Sequence, residues 1–120
     1  MTRQALRDLA ARCEAATGAD RELDAAIGSA LWVVKYGKPL LGVGGCYHPP
    51  YTASLDAAMS LVPEGCDWIL NSRRNYAQVW ERKGVGAQMW AQMWECKSAA
   101  TPALALTAAC LKALAQENEP

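Results

Sequence analysis

The chain has 120 residues, of which 52% are hydrophobic and 20% are charged. This is the composition of a globular domain rather than of a disordered segment, and the length suits one domain over residues 1–120. The 12 basic and 12 acidic residues balance. This disfavours a broad nucleic-acid or membrane surface, because both partners call for a basic excess. We therefore expect no nucleic acid and no membrane among its partners.

The cysteine pattern indicates a reducing compartment. A secreted disulfide framework has a denser and even-numbered set, whereas this chain has five widely spaced cysteines without a CxxC pair: Cys13, Cys46, Cys66, Cys96 and Cys110. We predict free, mostly buried thiols. Residues 1–13 lack the apolar core of a signal peptide, and no apolar run approaches the roughly 20 residues of a membrane span. These features predict a cytoplasmic protein.

Two amphipathic helices are predicted in the first third of the chain. The first covers residues 3–16, with Gly18 as its C-terminal cap and an apolar stripe of Leu6, Leu9, Ala10 and Cys13. The second covers residues 20–35, with Asp20 as its N-cap. Its core stripe recurs at helical spacing, at Leu23, Ile27, Ala30, Leu31 and Val34.

The stretch 37–51 is irregular, since GKPLLGVGGCYHPPY has four Gly and three Pro in fifteen residues. Neither a helix nor a strand is expected to persist there. A loop of this length in a small domain is usually functional or mobile. A third helix is predicted over residues 52–62, with Thr52 as its N-cap.

The second half of the chain predicts three strands and a last helix. Short apolar and alternating segments over residues 67–71, 76–82 and 88–96 indicate an antiparallel meander, because only short turns link them. Thr101 and Pro102 are a typical helix start, and the helix is predicted over residues 101–115. The predicted fold class is therefore α+β, with a three-stranded antiparallel meander packed with about four helices in a layered sandwich.

Three segments, residues 6–27, 51–68 and 100–115, together resemble the phage ABA sandwich domain family. The string YTASLDAAMSLVPEG is the most specific part of this resemblance. The resemblance implies a small protein encoded by a phage or prophage, which would act in the cytoplasm of the bacterial host. It also implies helices packed against a sheet. Most such proteins have no assigned activity, so no site residue follows from the family.

Residues that could carry catalysis or bind a metal do not form a set. Zinc needs three or four N/S ligands and a nucleophile needs an oriented base, but Cys46 and His48 are the only close pair and His48 is the only histidine. The segment GVGG at 42–45 lacks the frame of a phosphate-binding loop. The acidic cluster Asp20, Glu22 and Asp24 is interpreted as helix capping and dipole complement. We expect no enzymatic activity, no metal and no cofactor.

Aromatic and basic residues form the candidate ligand site. Trp80 shares a strand face with Tyr76 and Gln78, and Trp90 shares one with Trp94. A face left uncovered by helices would be a stacking platform beside arginines, suited to a planar base with a phosphate. The alternative is that the tryptophans pack beneath the helices and the arginines are solvated. The candidate residues are Tyr47, His48 and Tyr51 as a lid, Arg73 and Arg74 as anion contacts, and Trp80 and Trp90 as stacking faces.

Two functional hypotheses follow from these residues. The first is a non-enzymatic phage accessory protein that binds and sequesters a small nucleotide-derived immune signal, as a homo-oligomer. The second is a protein-interaction module that blocks a host protein or serves as a minor phage assembly factor, with the same tryptophans as contact residues. An exposed apolar patch without a concave, arginine-lined pocket would favour the second hypothesis.

Overall fold

The computed structural model describes residues 2–36, 49–63, 65–71, 73, 75–82 and 90–117. In chain order these residues form α1 (Thr2–Ala15), α2 (Arg21–Tyr36), α3 (Leu55–Met59), β1 (Cys66–Asn71), β2 (Tyr76–Arg82), β3 (Trp90–Cys96) and α4 (Pro102–Glu117). The predicted α+β fold class, with a three-stranded antiparallel sheet, is confirmed. No helix within the described ranges is long and apolar enough to cross a membrane.

The sheet is an antiparallel meander in the order β1-β2-β3. Val79, at its centre, pairs with Trp68 of β1 and with Trp94 of β3. A register shift separates Trp80 from Arg82 on the β2–β3 side, where Arg82 pairs with Trp90. The central strand β2 is therefore paired on both sides, and β1 and β3 are the two edges.

Helix α4 is the centre of the fold. It contacts all three strands and also packs against α1 and α3, while α2 packs against α1. Every residue from Ala103 to Leu111 is buried, including Leu104 and Leu106, which lie on nearly opposite faces of the helix. A helix that is apolar on all sides is a buried helix. The sheet, α4 and the helices α1 and α3 therefore form successive layers.

The helix ends differ in part from the predicted caps. Asp20 caps α2, as predicted. Its Oδ1 accepts from the backbone N–H of Glu22 at 2.9 Å and from that of Leu23 at 3.2 Å. The Thr101 cap is also confirmed by its 3.2 Å bond from the Leu104 N–H. Gly18, the predicted C-terminal cap of α1, does not have the positive φ that is typical of a cap glycine. Among the described residues, Gly65 is the glycine with a positive φ, at 84°.

The third helix is shorter than predicted and begins later. It is capped by Ser54, whose Oγ accepts from the Ala57 N–H at 3.3 Å. The prediction of Thr52 as the cap is wrong, because Thr52 is buried and held by Asp24. The Asp24 Oδ1 accepts both the Thr52 N–H and the Thr52 hydroxyl, each at 2.8 Å. These bonds fasten the chain after residue 49 to the first turn of α2.

Asp24 is thus more than a complement to the helix dipole, which was its predicted role. Its side chain is fully buried, and its Oδ2 accepts from the guanidinium of Arg21 at 3.0 Å. Thr52 also accepts from the Asp20 backbone N–H at 2.8 Å. One buried carboxylate therefore joins two segments that lie 28 residues apart in the sequence.

The prediction of free, mostly buried thiols is confirmed for three described cysteines. Cys13, Cys96 and Cys110 are free and buried, and Cys66 is a half-buried thiol. Burial raises the pKa of Cys13 and of Cys110 from 9.0 to about 12, and that of Cys96 from 9.0 to about 11. Cys46 lies outside the described residues.

These raised pKa values predict a loss of stability at alkaline pH. The thiols of the unfolded chain release protons near pH 9, while those of the folded chain stay protonated. The stability that the buried thiols contribute is therefore fully present below about pH 9 and is lost as the pH rises toward 11–12. Each thiol should lower the free energy of unfolding by about 1.4 kcal/mol per pH unit in that window. Urea unfolding on both sides of pH 9 measures this slope. The Cys110→Ala variant should have a shallower slope, and an unchanged slope would contradict the assignment.

Candidate functional site

The two faces of the sheet differ because helices cover only one of them within the described chain. Ala77 and Val79 are fully buried and point toward α4. Alternation along β2 places Tyr76, Gln78 and Trp80 on the other side. Ile69 pairs with Gln78 and therefore lies on the same face. The side chain of Ile69 is 52% exposed. We call this side the open face, defined by Asp67, Ile69, Asn71, Tyr76, Gln78, Trp80 and Glu95.

The open face contains a hollow of about 500 Å³ beside the β1–β2 turn. It is lined by Ile69, Leu70, Asn71, Arg73, Tyr76 and Gln78. The lining thus combines one cation, one phenol ring, two amide side chains and two apolar side chains. A few convergent polar groups around apolar surface are typical of a small-molecule site.

The turn that carries Arg73 is held by two asparagines. The Asn71 Oδ1 accepts from the Arg73 backbone N–H at 3.0 Å, which is a local Asx turn. Asn75 has a φ of 51°, a left-handed conformation that asparagine tolerates better than most residues. Its Nδ2 donates to the carbonyls of Ala99 and Ala100 at 3.1 and 3.0 Å. The turn is therefore tied to the β3–α4 connection, and Arg73 starts from an anchored backbone.

Tyr76 is held in place across the sheet. Its hydroxyl donates to the Glu95 Oε2 at 2.9 Å. The pKa of Tyr76 is raised by desolvation and by this bond to a carboxylate. The ring is therefore a neutral, oriented aromatic surface at one end of the hollow.

Trp80 lies on the same face as Tyr76 and Gln78, as predicted, and it is half-buried. Trp94 lies on the opposite face, because it pairs with the inward Val79 and packs against the core. Trp90 pairs with Arg82 beyond the register shift, and its side chain lies outside the described residues. The tryptophans therefore divide: Trp94 is a packing residue, as the alternative prediction had it, and Trp80 belongs to the open face. Trp68, which was not part of that prediction, also packs against the core.

The predicted lid is not assembled by the described residues. Tyr47 and His48 lie outside them, as does Arg74. Tyr51 is 7% exposed and belongs to the core, where its carbonyl accepts from the Thr107 hydroxyl at 3.0 Å. Burial and the nearby Asp24 raise its pKa. The lid role of Tyr51 is therefore wrong, because the bonds at residues 51 and 52 hold this segment against α4 and α2.

Five residues that line the hollow are absent from the predicted site: Ile69, Leu70, Asn71, Tyr76 and Gln78. For the four on the open face, all but Leu70, the alternation of DWILN and YAQVW contains the signal, since residues two apart on a strand share a face. Which face the described helices leave uncovered depends on where α4 packs, and no local sequence pattern shows that. No group of three or more His, Cys, Asp or Glu that could hold a metal occurs in the described part of the chain.

Comparison of the whole chain with protein-family models, with curated proteins and with solved structures gives no match.

Proposed function

We propose that this protein is a non-enzymatic, cytoplasmic phage accessory protein, related to the phage ABA sandwich family, that binds and sequesters a small nucleotide-derived immune signal. The observation that carries the proposal is the hollow on the open face, where Arg73 and Tyr76 line the same depression. An arginine fork suits a phosphate, and a phenol ring suits a nucleobase. The two amides, Asn71 and Gln78, can both donate to and accept from a base edge or a ribose.

The spacing along β2 favours a ligand with two ring systems. Trp80 is four residues from Tyr76 on the same face, a distance of about 13 Å at the usual rise per residue. A single base cannot stack on both rings. A cyclic dinucleotide or an ADP-ribose derivative has two ring systems or two phosphates and can reach from Arg73 to Trp80. A homo-oligomer would enclose such a ligand further by placing a second copy over the open face.

Native mass spectrometry tests this proposal on the intact chain. The protein is incubated with a panel of cyclic dinucleotides and ADP-ribose derivatives. The expected result is a retained adduct whose ligand is recovered chemically intact after denaturation. An altered ligand would indicate an enzyme instead. Absence of any adduct would contradict sequestration of the panel's signals.

Replacing Arg73 with alanine is expected to weaken the retained ligand about tenfold or more, because a charge-assisted hydrogen bond to the phosphate is lost. Arg12→Ala is the matched control, because Arg12 is an exposed arginine on α1, away from the hollow; this variant should bind normally.

Trp80→Ala should remove one stacking surface, and base–aromatic stacking contributes about 1–3 kcal/mol per base. Thermal melts of each variant check that it is folded before its binding is compared. If Trp80→Ala unfolds, Trp80 is a packing residue.

The second candidate function is the protein-interaction module. It is favoured by Ile69, which is 52% exposed on the same face as Trp80. Aromatic and apolar residues on an uncovered sheet face are typical contact residues of a protein interface. The Arg73→Ala variant separates the two functions. It should weaken a nucleotide adduct about tenfold or more while leaving capture of a host protein through Ile69 and Trp80 unchanged.

A further inference from the structure

A second hollow lies on the helix-covered side of the sheet, between α1 and the edge strand β3. It has a volume of about 380 Å³ and is lined by Arg7, Ala11, Glu14, Trp94 and Lys112. We call it the α1–β3 groove. Trp94 is partly exposed here, although it packs against the core. Among the described residues, the groove shares no lining residue with the hollow on the open face.

The groove exists because of the residue spacing on α1. Arg7, Ala11 and Glu14 follow the helical spacing i, i+4 and i+7, so they form one stripe beside the core stripe. The middle position is an exposed alanine. Because its side chain is a single methyl group, it leaves space between the two charged residues. A larger side chain at position 11 would fill that space.

Lys112 is the fixed cation of the groove. Its Nζ donates to the Glu14 Oε2 at 2.9 Å and to the Glu95 carbonyl at 2.8 Å. Both side chains of this ion pair are 32% exposed. An ammonium group has three donors, so two are used within the described contacts and one remains for a ligand. The two partners hold the ammonium still, which lowers the entropy lost when a ligand binds.

The charges of the groove favour a monoanion. Two cationic side chains, Arg7 and Lys112, line the groove together with one carboxylate, Glu14. A doubly charged phosphate would be repelled by the Glu14 carboxylate at close range. A carboxylate needs only one balancing charge and accepts well from both lysine and arginine.

From these contacts we propose that the α1–β3 groove is a binding site for a planar aromatic carboxylate. The aromatic ring lies against the indole of Trp94 and the methyl group of Ala11. The carboxylate accepts from Lys112, with Arg7 as a second cation. This site is independent of the proposed nucleotide site, since it lies on the other side of the sheet and takes a different ligand class.

The probe for this proposal is 2-naphthoate, followed by NMR through the indole N–H signal of Trp94. The signal is assigned from its loss in Trp94→Phe. We expect saturable movement of this signal with 2-naphthoate. The neutral 2-naphthamide should bind about tenfold more weakly or worse, because it lacks the charge-assisted bond. Acetate, which has no ring, should not move the signal.

The decisive variant is Ala11→Leu, which fills the groove from an exposed helical position where folding is little affected. It should abolish binding of 2-naphthoate. Ala5→Leu, at another exposed alanine of α1, should bind as the unchanged protein does. Three results would overturn the proposal: equal binding by 2-naphthamide, normal binding by Ala11→Leu, or no movement of the Trp94 signal. None of these results bears on the nucleotide adduct at the open face.

Discussion

Replacement of either Leu104 or Leu106 with alanine is expected to lower the free energy of unfolding by about 2–5 kcal/mol, with both changes in the same range. The two residues are two positions apart on α4, so their side chains point about 200° apart around the helix axis. On a surface helix, one of two such positions faces solvent and tolerates truncation. Here both side chains are fully buried.

The reason for this expectation is the position of α4 between two layers. One side of the helix packs on the sheet and the other on α1 and α3. Truncating a leucine on either side removes buried apolar surface and leaves a cavity that the neighbouring layers only partly close. Because a domain of this size has a total stability of about 5–15 kcal/mol, each loss is a large share of it.

Urea denaturation of the two variants measures the effect through the shift in midpoint. Leu55→Ala in α3 is the matched control, because Leu55 is 36% exposed. It should cost less than about 1 kcal/mol. A large loss at Leu104 together with a negligible loss at Leu106, or the reverse, would mean that α4 has one solvent-facing side, and the layer order would be wrong.

The Asp24→Ala variant is expected to lose about 1–3 kcal/mol of stability, as happens when a buried hydrogen-bond donor loses its acceptor. The carboxylate accepts three hydrogen bonds, from the Thr52 N–H, the Thr52 hydroxyl and the Arg21 guanidinium. After the change, the buried Thr52 N–H has no acceptor, and an unsatisfied buried donor is costly. The hydroxyl is less affected, since the Asp20 carbonyl lies 3.2 Å away.

Two further variants refine this prediction. Glu22→Ala, an exposed acidic residue in the same first turn of α2, should cost less than about 1 kcal/mol. Thr52→Val keeps the shape of the side chain and removes its hydroxyl, so it should cost about 1–2 kcal/mol. In a double-mutant cycle, Asp24 and Thr52 should show strong coupling. Additive losses would contradict a shared network.

Several elements of the fold were predictable from the sequence because their causes are local. The Asp20 and Thr101 caps follow from side-chain oxygens at helix starts, which accept from the next turn. The three strands and their meander follow from period-2 alternation and short links. The shared face of Tyr76, Gln78 and Trp80 follows from the same alternation.

Other features depend on contacts between distant segments. Threonine is a typical N-cap residue, but Thr52 is bound by Asp24, which lies 28 residues earlier. Helix α3 begins at Leu55 instead. Tyr51 follows a loop rich in glycine and proline, which suggested a lid. Its carbonyl accepts a hydrogen bond from the Thr107 hydroxyl, which holds it in the core. Both positions were misassigned because a long-range hydrogen bond of a buried group outweighs a local preference.

By itself, the sequence determined the class of the fold, the strand alternation and two of the helix caps, since these depend on neighbours within a few residues. Only the tertiary structure decided which face of the sheet the described helices cover, and with it the division between Trp80 and Trp94. Periodicity shows that residues share a face, but it does not show what covers that face. The physical reason is that α4 buries its whole circumference, and only the packing of distant helices settles where such a helix lies.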